Sequence, residues 1–181
     1  MKKVFLILVL LYTISYSSQE NSGNWSVSLN IASTLYLPKD DATVLRGGNI
    51  IYQFPRITLS KYIGNNLTVT GAFSSDFGLD DQKYTSFDLY GNYEIFKIFK
   101  KINVYALAGA SLVSRQDVTP LLNLGGGGTM WLSKSIGLNS ELFYKFNLGS
   151  SDTERSHFFS SVGIVYSFNS DRSSRIWNKD H

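Results

Sequence analysis

The chain reads as all-β: an N-terminal signal peptide followed by an eight-stranded antiparallel up-and-down transmembrane β-barrel. Three observations predict this. Apolar and polar residues alternate with period two through eight segments, and the links between segments alternate between compact and long. The faces opposite the apolar ones carry small polar residues instead of a dense charged surface.

Lys2 and Lys3 precede an apolar run from Val4 that ends near Ile14, and small residues follow. Ser15 and Ser17 fit the −3 and −1 positions of a cut after Ser17, so a secretory leader is expected within residues 1–18. The run is roughly half of the ~20 residues a helix needs to cross a bilayer, which argues against a retained anchor. The chain has no Cys, which excludes disulfides and Cys-linked lipidation. The formal net charge of +3 falls to +1 once Lys2 and Lys3 are removed, so a nucleic-acid partner has no electrostatic support. Charged residues make up 17% of the chain, against about 25% in an ordinary soluble domain. No later apolar run is long enough for a membrane helix.

The first strand alternates Trp25, Val27, Leu29 and Ile31 with Ser26, Ser28, Asn30 and Ala32. The second and third are expected over 50–60 and 67–76, with Pro55 forcing a bulge or a break of phase. In the fourth, Phe87, Leu89, Gly91, Tyr93 and Ile95 alternate with Asp88, Tyr90, Asn92 and Glu94. The fifth, 102–113, is ambiguous in phase, and the sixth spans 122–132. The seventh sets Leu138, Leu142 and Phe146 against Asn139, Glu141, Phe143 and Lys145, and the eighth sets Val162, Ile164, Tyr166 and Phe168 against Ser161, Gly163, Val165 and Ser167. The links 61–66, 97–101 and 133–135 are compact, whereas 36–49, 77–83, 114–121 and 148–156 are mostly longer and polar. Membrane barrels pair short periplasmic turns with longer extracellular loops in this way. One barrel domain over 19–168 and a polar tail over 169–181 complete the organisation.

Alternation does not say which face is inside; the chemistry of the polar face does. Ser, Thr, Asn and Gly suit the crowded interior of an eight-stranded barrel, so the apolar side chains are expected to face lipid. Aromatic residues fall near both expected rims, with Tyr36, Tyr84, Phe87, Phe146 and Phe158 at one and Trp25, Tyr62, Phe96, Phe99, Tyr166 and Phe168 at the other. Two interfacial girdles are the expectation. Arg56, Asp88, Glu94, Glu141 and Lys145 share the lumen-facing parity, and mutual pairing is expected because isolated interior charges are costly. The reading is a polar plug; a narrow pore is the alternative.

Ser161-Val162-Gly163-Ile164-Val165-Tyr166-Ser167-Phe168 resembles the closing-strand signal of bacterial outer-membrane proteins: polar, any, Gly, any, any, hydrophobic, any, aromatic. Ser161, Gly163, Tyr166 and Phe168 occupy its defining positions, although thirteen residues follow Phe168 where the signal normally ends the chain. With Tyr52-Gln53-Phe54-Pro55-Arg56, Val104-Tyr105-Ala106-Leu107-Ala108-Gly109 and Leu124-Gly125-Gly126-Gly127-Gly128, most of 25–168 resembles the small OmpA-type barrels of Bacteroidetes. The resemblance implies the barrel fold, an outer-membrane location, and outer-membrane lipids and the barrel-assembly machinery as partners, and it carries over no catalytic residues.

Other chemistry is thin. With only His157 and His181 and no Cys, no dedicated transition-metal site is expected, and Asp40, Asp41, Asp80 and Asp81 lack EF-hand spacing. Gly125–Gly128 is followed by Thr129-Met130-Trp131 and not by the Lys and helix of a phosphate loop, so these glycines suit tight curvature or a large neighbour. Ser156 and His157 point to opposite faces of a strand and cannot act together, so no enzyme and no cofactor are expected. Gly23-Asn24-Trp25 matches a lipocalin Gly-X-Trp, which makes a secreted carrier of small apolar ligands the other alternative. The favoured expectation is a monomeric, non-enzymatic barrel with a structural or surface-interaction role, its loops being the working parts.

Overall fold

The computed structural model describes residues 25–36, 49–76, 84–98, 101–114, 118–147 and 155–168. The expected leader, the expected tail and Phe99 lie outside the described residues. Eight strands follow one another: β1 (Trp25–Tyr36), β2 (Asn49–Gly64), β3 (Leu67–Ser75), β4 (Thr85–Ile98), β5 (Ile102–Ser114), β6 (Val118–Trp131), β7 (Ile136–Asn147) and β8 (His157–Ser167). Each pairs antiparallel with its sequence neighbour, and β1 pairs with β8 to close the barrel. Closure leaves no sheet edge, so the backbone donors and acceptors of every strand have partners on both sides.

Side-chain parity sets inside and outside. Leu29, Leu89, Leu142 and Ile164 are 50%, 62%, 57% and 58% exposed, on the outer face. Ser28, Asn30, Thr58, Thr70, Asp88 and Glu141 are buried inside. A carrier of apolar ligands needs the reverse arrangement, so the lipocalin-like alternative fails on the polarity of the two faces.

The break of phase at Pro55 is a bulge: Asn30 pairs with Arg56 and Ala32 with Gln53, so Ile31 faces two residues, Phe54 and Pro55. Gln53 and Arg56 therefore both point inward despite their odd spacing. The phase of β5 resolves with Asn103, Leu107, Ser111 and Val113 buried in the lumen. β2 and β3 meet through Asn65 and Asn66, whose φ values of 50° and 63° suit a two-residue hairpin turn that matches strand twist.

The rim aromatics need correction. Tyr36 and Tyr84 are buried within the lumen, and Tyr62 shares the inward parity of Thr58 and Ser60. Trp25, Phe96, Tyr166 and Phe168 face outward at the short-turn end, and Phe87, Phe146 and Phe158 do so nearer the other end.

Candidate functional site: the barrel lumen

The mid-lumen is filled by charges from three strands that are not neighbours in the sheet. Asp88 on β4 forms an ion pair with Arg56 on β2 and a second with Lys145 on β7, at 2.8 Å. Lys145 Nζ also donates to Ser86 Oγ at 2.7 Å. Arg56 Nη2 lies 3.6 Å from Glu141 Oε2 and donates to Tyr90 Oη at 3.2 Å. Tyr90 Oη in turn donates to the Glu141 carboxylate at 2.9 Å, and Tyr105 Oη reaches the same carboxylate at 3.2 Å. Two cations and two carboxylates balance, and the pairs tie opposite walls of the barrel together. Buried charges persist only with such pairing and accompanying hydrogen bonds.

An aromatic layer packs against this network. The Phe143 and Phe159 rings stack with centroids 4.9 Å apart. The Arg56 guanidinium lies 4.7 Å from the Phe159 centroid and the Lys145 ammonium 4.5 Å from it, so both cations also meet a ring face. Ala32, Ala72, Tyr90 and Leu107 join the same buried cluster. Towards the long links, Tyr84, Val113 and Leu121 form a second cluster. His157 Nε2 hydrogen-bonds Tyr84 Oη at 3.1 Å, its Nδ1 lies 2.7 Å from the Arg155 carbonyl, and its ring packs 4.8 Å from Tyr36.

The short-turn half of the lumen is roomier. A cavity of about 70 Å³ is lined by Ser28, Thr58, Asn103, Thr129, Asn139 and Glu94, among others, and reaches Glu141 at its inner end. The described lumen is thus a polar vestibule that stops at the ion-paired layer.

The glycines of β6 make room for the layer. Gly127 lies opposite both Tyr105 and Glu141 in the register, and a Cβ there would fall 2.8 Å from Tyr105 Oη. The tyrosine therefore crosses β6 only over a residue without a side chain. At Gly125 a Cβ would sit 2.4 Å from Phe143 Cα. Of the two uses weighed for this glycine run, close packing of a large neighbour is what the register delivers.

Of the five charged residues with lumen parity, Arg56, Asp88, Glu141 and Lys145 meet, and Glu94 does not. It lies six residues beyond Asp88 on β4, about 20 Å along the strand at ~3.3 Å per residue. At that depth it pairs with Lys97 at 3.0 Å and accepts from Asn103 Nδ2 at 3.0 Å. In the closing strand, Ser161 points inward and donates to Glu141 Oε2 at 3.4 Å, and Gly163 faces Asn30 across the β1–β8 seam. Tyr166 and Phe168 turn outward, with ring centroids 5.3 Å apart. Tyr90, Ser86 and the two phenylalanines are parts of the site that charge alone does not flag. Tyr90 and Phe143 share the parity of Asp88 and Glu141 on their strands, and that parity is the signal that finds them. Among the described residues, no three His, Cys, Asp or Glu side chains converge to hold a metal ion.

No protein-family model matches the chain, and no curated protein matches it. Solved structures do. The N-terminal β-barrel domain of Pseudomonas aeruginosa OprF is similar with a TM-score of 0.58 and 10% identity, over 81% of this chain and 98% of that one. Neisserial surface protein A is similar with a TM-score of 0.55 and 14% identity, over 80% of this chain and 97% of that one. Strand number, closure and the outward apolar face agree with that likeness: the chain has the fold of the small eight-stranded outer-membrane β-barrels.

Proposed function

We propose that this chain is an outer-membrane barrel with a sealed lumen, acting as a structural or surface-interaction protein and neither as an enzyme nor as a pore. The observation that carries the reading is the charge-balanced layer of Arg56, Asp88, Glu141 and Lys145 packed on Phe143 and Phe159. Arg56 and Lys145 are fully buried, which supports a lumen closed at their level. An eight-stranded barrel is just wide enough for its own side chains, and here they fill its middle. A monomer suits a barrel that uses all its edges internally. The long links are the surface we assign to interaction, and His157, with both ring nitrogens engaged by Tyr84 and the Arg155 carbonyl, is poorly placed as a catalytic base.

Planar-bilayer recordings test the reading. Purified, refolded protein should insert without unitary conductance steps. Reproducible steps that disappear with the protein's heat-denatured form would replace the sealed barrel with the narrow pore.

A further inference from the structure

Charge is distributed unequally between the two ends of the barrel. The three compact links, 65–66, 99–101 and 132–135, contain Lys100, Lys101 and Lys134 and no acidic residue. Two further lysines, Lys61 and Lys97, lie at the same ends of β2 and β4. The four long links, taken over 37–48, 76–84, 115–117 and 148–156, carry eight acidic residues against five basic ones.

Three of these lysines, Lys61, Lys101 and Lys134, sit at the level of a lipid headgroup. Lys61 pairs with Trp25 across β1–β2, and its ammonium lies 5.1 Å from the Trp25 ring, which faces outward. Lys101 and Lys134 are exposed in their turns, on two other sectors of the rim. Lys97 pairs with the buried Asn103 across β4–β5 and with Glu94 at 3.0 Å, so it shares their inward parity and lies at the mouth of the lumen, apart from the lipid-facing lysines. Phe96, Tyr166 and Phe168 form an exposed aromatic fringe at the same end of the barrel. Amphipathic rings mark the depth of the lipid–water interface, and lysine stems lie along apolar surface while their ammonium groups reach polar surroundings.

We propose that the short-turn rim is a binding collar for anionic glycerophospholipid headgroups, carried by Lys61, Lys101 and Lys134. The inference rests on the membrane-spanning reading above and adds a lipid class and a leaflet to it. Phosphate oxygens carry the charge and acceptors that ammonium groups need. Attraction between a surface lysine and an anionic leaflet corresponds to roughly a fivefold preference per contact and is screened by salt.

Trp25 provides a reporter beside Lys61. Trp131 is buried in the lumen, and Trp177, outside the described residues, is removed by Trp177→Phe. The W177F protein is folded into phosphatidylcholine vesicles and checked by heat-modifiable gel mobility. Brominated phosphatidylglycerol is then compared with brominated phosphatidylcholine, at equal mole fraction, as a quencher of tryptophan fluorescence. The anionic lipid should be enriched around Trp25 by roughly fivefold, the order of one lysine contact, and the preference should shrink in high salt. Adding K61Q, K101Q and K134Q together should abolish the preference, with folding retained, while R155Q at the opposite end should preserve it. Equal quenching by the two lipids around a folded W177F barrel would overturn the collar alone. Failure to fold into neutral vesicles would overturn the membrane reading and the collar with it. Loss of the preference to millimolar inorganic phosphate at constant ionic strength would assign the lysines to a soluble anion instead.

Discussion

Asp88 is the residue on which the lumen turns, because it is the direct counter-ion of both buried cations. Asp88→Asn keeps the shape and leaves Arg56 and Lys145 with only Glu141 to balance them. Breaking a buried pair this way costs about 3–5 kcal/mol, because the desolvated partner stays behind. Arg56→Met should cost less: Asp88 retains Lys145, and Glu141 retains the hydroxyls of Tyr90 and Tyr105. Urea unfolding in lipid vesicles should therefore rank the wild type above R56M and R56M above D88N, and the opposite order for the two variants would contradict this distribution of charge. Gly125 is a residue-scale constraint of another kind. An added Cβ would lie 2.3 Å from the Leu142 carbonyl oxygen and 2.4 Å from Phe143 Cα, both backbone atoms. The clash cannot be relieved by trimming a side chain, so G125A should lose at least about 1–3 kcal/mol, the range of overpacked interiors. Because the obstruction is backbone, combining G125A with Phe143→Ala should not restore the loss in the same unfolding assay.

At the scale of elements, β2 is the informative strand, since its two halves keep their inward faces only through the extra residue at 54–55. Deleting Pro55 leaves Gln53, Phe54 and Arg56 in strict alternation, with Gln53 and Arg56 still inward. A Pro55 deletion should therefore fold, whereas deleting Ile57 would turn Thr58 and Ser60 towards lipid and Leu59 towards the lumen. The heat-modifiable band on a gel separates the two outcomes. The same strand marks what could be read from the sequence. The eight strands were legible because one lipid-facing row and one small polar row give a strong period-two signal, as in β1, where Leu29 and Ile31 alternate with Ser28 and Asn30. Phase blurred where the lumen itself is apolar: Leu107 and Val113 in β5 fill space that Gly125 and Thr119 leave across the register. Tyr36 and Tyr84 were equally hard to place, since an aromatic near a strand end suits either an interfacial girdle or a plug. Of the candidate site, parity brought out Arg56, Asp88, Glu141 and Lys145. It could not separate Glu94, because parity reports the face and says nothing of depth along the barrel axis.

At the scale of the whole molecule, orientation and closure are the two properties to test. Leu89 stands 62% exposed in the middle of the outer face. If that face meets acyl chains, Leu89→Arg should cost about 2–4 kcal/mol in bilayers, as for cations near the midplane of membrane barrels. A penalty near zero in vesicle unfolding would mean that the apolar face does not lie in hydrocarbon. Closure is decided at the β1–β8 seam, where the first and last strands pair. Gly163 pairs with Asn30 there, and a Cβ on it would sit 2.1 Å from Asn30 Oδ1 and 2.2 Å from the Leu29 carbonyl oxygen. Gly163→Val pushes directly against the partner backbone, and Asn30→Gly removes only the side-chain half of the obstruction. Strands β2 to β7 pair without any contribution from this seam, so G163V should retain β-structure by circular dichroism while losing the compact, SDS-resistant form that a closed barrel shows on gels. The loss should persist in the G163V/N30G double variant. Recovery in that double variant would place the constraint in the Asn30 side chain, and a compact G163V band would show that the seam closes elsewhere.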